Sequence, residues 1–337
     1  MTKPNFLHQV HKKSRDVVNT QQFPDEWHDF LKTFVRVGDL FADNGPATDA
    51  AEGLGKFKER IATESKRLGV PVPELLMSIA KAGMPAMRWN ARVSFLKTML
   101  HFSRHANRDN QEVWIYSPPV GYSDWIYRQL NTTHSKVMTF LRMETETYTK
   151  EEKGLMVDAL QMAMACAQKV CMKLASPDKE IIKKIKTWFL HNEAPESEIN
   201  AVIQDLLNGF KKISHVCNSP SLIFSDDPKD RESISRYEKE YANVWEEGET
   251  PLQVMYIAGA FKKDANSGRL WMCIQTIIHE ASHIALKTKD LRYDRHGLRP
   301  CLAFPKESAL QNADNWGYFA IDVNGYLSSS DLAKVCS

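Results

Sequence analysis

The sequence contains no run of about 18 or more apolar residues, so it offers no candidate for a membrane-spanning helix. It also lacks a large excess of charge of either sign, because 44 lysines and arginines are balanced by 42 aspartates and glutamates. A net charge of +2 gives no electrostatic reason to expect a nucleic-acid partner. The composition, 43% hydrophobic and 26% charged, is that of a globular protein with sizeable cores.

Cysteine is scarce as well, and the chain has no Cys-x-x-Cys pair. The six cysteines lie mostly in apolar runs, so we interpret them as reduced, buried side chains and expect no cysteine zinc site. The first 13 residues carry positive charge but lack the apolar core of a secretory signal. We therefore expect synthesis in the cytoplasm without a signal peptide, and export only through a dedicated secretion system.

The length of 337 residues suggests about two domains. Residues 1–22 are polar, and we expect a loose N-terminal arm there. Amphipathic patterns over residues 23–148 predict an all-α N-terminal domain, serving as a pro-segment, a targeting module or a binding site for secretion machinery, a chaperone or an inhibitor. A capping-box pattern at Thr149 then opens a second domain over residues 149–337. Short apolar runs at residues 221–224 and 253–258 predict strands in it.

The clearest chemical pattern is His279-Glu280-x-x-His283, which lies within an otherwise apolar stretch. Residues four apart lie one above the other on a helix, so both imidazoles can reach a single ion. Glu280 lies about 100° further round the helix, beside the ion, where it can accept a proton from water. The pattern therefore predicts one catalytic Zn²⁺, with Glu280 as the general base.

A catalytic zinc also needs a third protein ligand and one open position. The metzincin continuation is absent, because positions 286 and 289 are leucine and lysine. The downstream candidates are Asp290, Asp294, His296 and Glu307. Their distance along the sequence from His283 does not decide which of the four is the third ligand. Short strands followed by an active-site helix are typical of zincin metallopeptidases, so the predicted fold class is α+β, mostly helical, with a zincin-like second domain.

Three segments together resemble the aspzincins, the family of deuterolysin and the fungal peptidyl-Lys metalloendopeptidases. They are His279-Glu280-x-x-His283, Thr288-Lys289-Asp290-Leu291-Arg292-Tyr293 and Asn312-Ala313-Asp314-Asn315-Trp316-Gly317-Tyr318-Phe319. The sequence Gly259-Ala260-Phe261 ahead of the motif helix also looks like theirs. The resemblance covers about residues 150–337 and implies a zinc endopeptidase domain there.

The resemblance implies that Asp290 is the third zinc ligand and that Tyr293 donates a hydrogen bond to the oxyanion. In the Lys-specific relatives an acidic residue of the third segment lines the substrate pocket, and Asp314 matches that residue. A position three residues later, acidic in some relatives, is Gly317 here. A preference for basic residues after the scissile bond is therefore expected, but strict lysine specificity is not.

The backbone between the second histidine and the third ligand has to reverse its direction. In an unbroken helix Asp290 would lie about 10 Å beyond His283 along the axis, so the helix must end near Lys287. The family carries glycines around this loop, where this chain has Lys287 and Asp294. A residue for which left-handed geometry is costly must therefore make the reversal.

Two further substrate contacts are predicted ahead of the motif helix. In such proteases a strand just before the active-site helix can bind an extended peptide by main-chain pairing. Residues 253–258 are the candidate strand, which makes Tyr256 and Gly259 the predicted substrate-binding residues.

The predicted function is hydrolysis of peptide bonds in a protein or peptide substrate through a zinc-activated water. One alternative is a cell-wall peptide hydrolase with the same site. Another is a binding protein whose zincin fold is catalytically idle. Because a zinc protease made in the cytoplasm endangers its host, we also hypothesise a bacterial toxin or effector.

Overall fold

The computed structural model describes residues 6–20, 23–33, 37–42, 45–82, 89–244 and 252–337. Its helices are α1 (Phe6–Thr20), α2 (Asp25–Thr33), α3 (Val37–Leu40), α4 (Ala50–Leu68), α5 (Val72–Lys81), α6 (Trp89–His101), α7 (Ile126–Gln129), α8 (His134–Leu141), α9 (Lys150–Ala175), α10 (Lys179–Phe189), α11 (Glu196–Cys217), α12 (Pro228–Arg231), α13 (Ile234–Tyr237), α14 (Gly259–Asn266), α15 (Leu270–Leu286), α16 (Lys306–Gln311), α17 (Ala313–Val323) and α18 (Ser329–Cys336). The strands are β1 (Phe102–Ala106), β2 (Glu112–Tyr116), β3 (Leu222–Ser225), β4 (Ala242–Asn243) and β5 (Gln253–Ile257), and a 3-10 helix covers Asp294–His296. The predicted class, α+β and mostly helical, is confirmed.

The chain forms two compact units, and unit 1 comprises Met1–Lys153, Pro220–Lys239 and Glu247–Ala258. Within it β1, β2, β3 and β5 lie side by side in that order. The first pair is antiparallel and the other two pairs are parallel. Strands β3 and β5 read as nearly continuous apolar runs because parallel strands are covered on both faces. The strands predicted at residues 221–224 and 253–258 are present.

The structure of unit 1 differs from two predictions about the N-terminal part of the chain. In the described part of the predicted loose arm, α1 is a helix that buries Leu7, Val10 and Val17. These residues recur at helical spacing and form one apolar stripe, which outweighs the polar composition of the segment. The segment over residues 23–148 is not all-α either, because β1 and β2 form a hairpin there. Residues 1–5 and 21–22 of the predicted arm lie outside the described residues.

The predicted division at residue 149 also differs from the observed units. Strands β3 and β5 come from the second half of the sequence but belong to unit 1. Parallel strands need long crossover connections, so their partners are remote in sequence and no local pattern marks them. The predicted capping box is present at the start of α9, where Thr149 and Glu152 exchange side-chain to backbone hydrogen bonds of 2.8 and 3.1 Å.

Unit 2 comprises Gly154–Ser219, Glu240–Glu246 and Gly259–Ser337. Its central helix is α15, which packs against α11, α14 and α17. Glycine permits the close approach of these helices: a Cβ at Gly317 would lie 3.0 Å from the carbonyl oxygen of Gln275, and one at Gly209 would lie 2.3 Å from the Trp316 ring. As a result α15 is buried without interruption from Cys273 to His283. Within the described ranges, every helix is too short or too polar to cross a bilayer.

Candidate metal centre

The motif histidines lie on α15, one turn apart, and both are buried. The helix ends at Leu286, and the capping residue that follows, Lys287, adopts the left-handed backbone conformation with φ of 58°. The N–H of Lys287 donates to the carbonyl oxygen of His283 at 3.2 Å, which closes the helix. The predicted end of the helix and its costly non-glycine cap are both observed. The chain can therefore turn back towards the histidines.

The returning loop brings Asp290 against both imidazoles. Its Oδ1 atom lies 3.1 Å from Nε2 of His279 and 3.3 Å from Nε2 of His283. The two Nε2 atoms are 3.1 Å apart. Tetrahedral zinc with ligands at about 2.0–2.1 Å requires ligand atoms about 3.3–3.4 Å apart. The three atoms thus form a triangle of the size that fits one zinc ion, and in the described ranges they form the one such cluster of three.

The other ring nitrogens fix the tautomer of each histidine. Nδ1 of His283 lies 2.8 Å from the carbonyl oxygen of Thr288, which can only accept a hydrogen bond. Nδ1 of His279 lies 2.7 Å from a carboxylate oxygen of Asp314. Both Nδ1 atoms therefore carry a proton, so in the neutral form of each ring the lone pair is on Nε2, which faces the shared point near Asp290. This is the arrangement that metal-ligating histidines need, and it is fixed by the chain itself.

A clamp built around Asn312 holds the loop that carries Asp290. The fully buried Asn312 accepts hydrogen bonds at Oδ1 from the N–H groups of Leu291 and Arg292, both at 2.9 Å. Its Nδ2 group donates to the carbonyl oxygen of Arg292 at 3.0 Å. Backbone bonds of Lys289 to Gln311 and to Ala313 complete the clamp. Few residues of this loop are buried in a core. The side chain of Asn312, at the start of α17, therefore holds the loop in place.

Charge complementarity also favours this arrangement. Burial alone would raise the pKa of Asp290, but its hydrogen bonds to His279 and His283 outweigh burial and hold that pKa well below its usual range. Asp290 is therefore ionised at neutral pH. An ionised carboxylate with two imidazoles, which bind a metal in their neutral form, is a donor set that suits Zn²⁺.

Glu280 lies beside the cluster and is almost completely buried, with 4% of its surface exposed. Its Oε1 atom is 3.9 Å from Nε2 of His279, and its Oε2 atom has no hydrogen-bond partner. Burial raises the pKa of Glu280, while the two nearby imidazoles partly offset that effect. A buried carboxylate oxygen without a partner is costly in a purely structural role and is suited to accept a proton from a bound molecule.

Tyr293 follows Asp290 in the same loop, and 36% of the residue's surface is exposed. Burial raises the pKa of Tyr293 to about 12, and the charge of Asp290 and a hydrogen bond to it act in the same direction. The hydroxyl is therefore protonated at neutral pH and can donate a hydrogen bond. This agrees with the role that the resemblance implies.

Asp314 is the predicted site residue whose position differs most from its expected use. It is buried, and Oδ1 is shared between His279 and the side-chain amide of Gln275. Its Oδ2 atom accepts a hydrogen bond from the N–H of Asp294 at 3.1 Å. Both oxygens are thus occupied inside the protein, so Asp314 orients His279 and its predicted role in a substrate pocket is not supported. Gly317 also lacks a carboxylate because a side chain there would meet Gln275.

The remaining candidates lie outside the cluster. Glu307 is exposed on α16 beside Lys306, and Asp294 and His296 belong to the 3-10 helix that follows the loop. Among the ligand alternatives, the geometry therefore favours Asp290. Gly259 is the half-buried first residue of α14, and its predicted contact with substrate stays a prediction.

Tyr256, the other predicted substrate residue, belongs to unit 1. It is buried there, and its hydroxyl accepts a hydrogen bond from the N–H of Leu7 at 3.0 Å. Its side chain is therefore part of a packed interior, and the prediction that it contacts substrate is wrong for the side chain. The strand pattern identified β5 correctly but could not show which surface covers it.

Sequence reasoning missed the supporting residues Thr288 and Asn312. Ser282 donates to the carbonyl oxygen of His279 at 2.6 Å and lies 2.7 Å from the hydroxyl of Thr288, so Thr288 connects the helix to the loop. Both missed residues were within the segments that carry the family resemblance. The sequence resemblance thus included both residues, but only the folded structure shows which groups they contact.

A known family matches the part of the chain that contains this site. The family model of the aspzincins, described as lysine-specific metallo-endopeptidase, matches residues 174–321. The family predicted from the three segments is confirmed, over a shorter range than the predicted one. No curated protein matches the chain.

Proposed function

We propose, from the premise that residues 174–321 belong to the aspzincin family, that the protein is a zinc-dependent endopeptidase acting on protein or peptide substrates. The observation that carries the proposal is the convergence of His279, His283 and Asp290 within 3.1–3.3 Å of one another beside the unpaired carboxylate oxygen of Glu280. His279 and His283 would hold the ion through Nε2, and Asp290 would hold it through a carboxylate oxygen.

When bound, Zn²⁺ supplies a Lewis acid that lowers the pKa of water and polarises a carbonyl oxygen. Glu280 accepts the proton of the attacking water at its unpaired Oε2 atom and then delivers it to the nitrogen of the leaving amine. Tyr293 donates its hydroxyl proton in a hydrogen bond to the oxyanion that forms on the scissile carbonyl. Asp314 and Thr288 keep the Nδ1 protons in place, so that both imidazoles retain their orientation during the reaction.

The test uses a peptide library and the full-length chain. We expect the zinc-loaded protein to cleave peptides, to lose activity on treatment with a chelator and to regain it when zinc is restored. Glu280→Gln should retain one zinc ion per chain and lose activity by a factor of at least about 10². Cleavage by Glu280→Gln at the rate of the parent would contradict the assigned base, and a parent protein that binds zinc but cleaves nothing would support the idle binding protein instead.

We also propose that the enzyme prefers substrates with a basic residue after the scissile bond, and the description of the family supports this preference. Because Asp314 is buried and its Oδ1 atom already has two partners, we assign the receiving carboxylate to the less buried Asp294. Each oxygen of Asp294 accepts one hydrogen bond, Oδ1 from the N–H of Arg295 at 2.7 Å and Oδ2 from the Tyr318 hydroxyl at 3.0 Å, which leaves a lone pair on each oxygen for a cation. Asp294 is half-buried next to Asp314, so a cation can approach it. Asp294→Asn should lower kcat/KM for substrates with lysine after the scissile bond and leave that for leucine substrates nearly unchanged. Equal losses for both substrates would argue against this assignment.

The alternative of a cell-wall peptide hydrolase uses the same site, and zymography on peptidoglycan separates it from a protease. The hypothesis of a bacterial toxin or effector, and of a partner for the N-terminal region, depends on the sequence alone. Its test is the activity of the full chain against that of Glu280→Gln after expression in a host cell, where only the parent should be toxic.

A further inference from the structure

A cationic groove lies in unit 2, apart from the residues of the metal centre. Its volume is about 300 Å³, and its lining consists of Lys179, Ile182, Lys183, Lys186, Thr187, Asn192 and Arg299. Four of these side chains are cationic and none is acidic. We propose that this groove binds a small molecule that carries phosphate or polyphosphate. The inference concerns a separate site and does not depend on the proposed peptidase function.

The sequence of α10 places three of the cations on one face. Lys179, Lys183 and Lys186 are spaced by four and three residues, so they lie along one side of the helix. The opposite side is apolar and buried through Ile181 and Ile185. This separation explains why the lysines share one surface, but a solvated helix face would explain that as well.

Two observations distinguish the groove from an ordinary solvated face. The first is that the neighbouring Lys184 has carboxylate partners, Asp322 at 2.7 Å and Glu180 at 3.6 Å, and is not part of the lining. In the described part of the chain, by contrast, Lys183 and Arg299 have no carboxylate at ion-pair distance. The cations that face the groove are thus the ones left uncompensated, and their mutual repulsion is relieved when an anion binds.

The second observation is that the walls are fixed relative to each other. Arg299 comes from a segment more than a hundred residues after α10. The side-chain amide of the buried Asn315 donates to the carbonyl oxygen of Trp188 at 2.6 Å and to that of Leu298 at 3.0 Å. Trp188 is at the end of α10 and Leu298 precedes Arg299, so one amide group ties both walls together. The backbone of the two walls is therefore held in place before a ligand binds, which reduces the entropic cost of binding.

The shape and the donors favour phosphate over other anions. A volume of about 300 Å³ suits a small ligand and is too small for a folded partner. The guanidinium group of Arg299 offers a planar fork that matches two phosphate oxygens, while the lysines act as point charges. The Lys186 ammonium already donates to the carbonyl oxygen of Asn192 at 2.7 Å, which holds it at the rim with two protons left for a ligand.

The test measures binding of pyrophosphate to the full-length, zinc-loaded protein by calorimetry at low ionic strength. We expect saturable binding that weakens as salt is added. Lys183→Gln and Arg299→Gln should each weaken it by about tenfold, because each removes a charge-assisted hydrogen bond. Lys212→Gln is the matched control, since it removes one exposed lysine of α11 outside the groove and should leave the affinity unchanged.

Pyrophosphate also chelates zinc, so the variant Asp290→Asn is measured in parallel. Binding in the groove should persist in that variant, whereas an apparent affinity due to the metal should disappear. Absence of saturable binding by the parent, loss of binding in Asp290→Asn, or an equal loss in Lys212→Gln would each overturn the proposal. Thermal unfolding of every variant verifies that the substituted proteins remain folded.

Discussion

The carboxylate of Asp314 lies 2.7 Å from Nδ1 of His279, on the side of the ring that faces away from Asp290. One imidazole is thus held between two carboxylates, which use different nitrogen atoms. Burial lowers the pKa of His279, but the hydrogen bonds to Asp290 and Asp314 outweigh it, so the net shift is well upward. The orientation and the charge of His279 therefore both depend on these two carboxylates.

Replacing Asp314 by Asn should weaken zinc binding by about 10- to 100-fold, because the neutral amide orients His279 less firmly and makes it less basic. Competition with a chromogenic chelator measures this affinity. If Asp314 instead received a substrate lysine, Asp314→Asn would keep its zinc affinity and lose only the preference for lysine substrates.

Replacing Asn312 by Ala should free the loop that carries Asp290. The variant leaves the N–H groups of Leu291 and Arg292 without their acceptor, at a cost of about 1–3 kcal/mol. We expect a lower midpoint in urea unfolding and a weaker zinc affinity in the same variant. Asn324→Ala, which removes an amide that also bonds to backbone but lies away from the loop, should lower stability without the effect on zinc.

Replacing Lys287 by Gly should stabilise the protein by about 0.5–1 kcal/mol, because lysine is strained at φ of 58° and glycine is not. Thermal unfolding with zinc in excess measures the change. Lys287→Ala serves as the control, since alanine keeps the strain and removes the same side chain. A stabilisation of equal size in both variants would point to the lost charge as the cause.

Replacing Gly317 by Ala should destabilise the protein by about 1–3 kcal/mol, because the new methyl group would lie 2.8 Å from the side-chain nitrogen of Gln275 and 3.0 Å from its carbonyl oxygen. The matched control is Gly154→Ala in α9, where nothing lies within 4 Å of the added Cβ. That substitution should stabilise the helix by about 0.5–1 kcal/mol. Urea unfolding curves of both variants should therefore shift in opposite directions.

Acid should destabilise unit 1 through its buried histidines. Burial lowers the pKa of His11 and of His101 to about 4, whereas an unfolded histidine titrates near 6.5. The unfolded chain therefore binds more protons between pH 6.5 and 4, and stability falls as the pH is lowered through that window. Between pH 7 and pH 5, each of these histidines should lower the free energy of unfolding by about 1–2 kcal/mol.

The measurement compares urea unfolding at pH 7 and pH 5 for the parent and for His101→Phe, which fills the space without titrating. The variant should lose less stability over this interval than the parent. An identical loss in both proteins would mean that His101 does not carry the effect.

Much of the metal centre was predictable because local periodicity determines it. The spacing of His279 and His283 fixes their common helix face, and the need to bring Asp290 back fixes the end of the helix near Lys287. The order of strands was not predictable in the same way, because β3 and β5 pair with residues far away in sequence. Likewise Leu7, Val10 and Val17 show a helical stripe, but their polar neighbours concealed it.

The sequence by itself indicated the family and named His279, His283, Asp290 and Glu280 as candidate site residues, since the motif and the resemblance depend on residue types at short spacing. Only the tertiary structure showed that Asp314 lies against His279 with both oxygens hydrogen-bonded, and that Tyr256 is interior. The physical reason is that a carboxylate or a hydroxyl has several equally favourable partners. Which of them it meets depends on how α15, α17 and the intervening loop pack, and no local pattern encodes that contact.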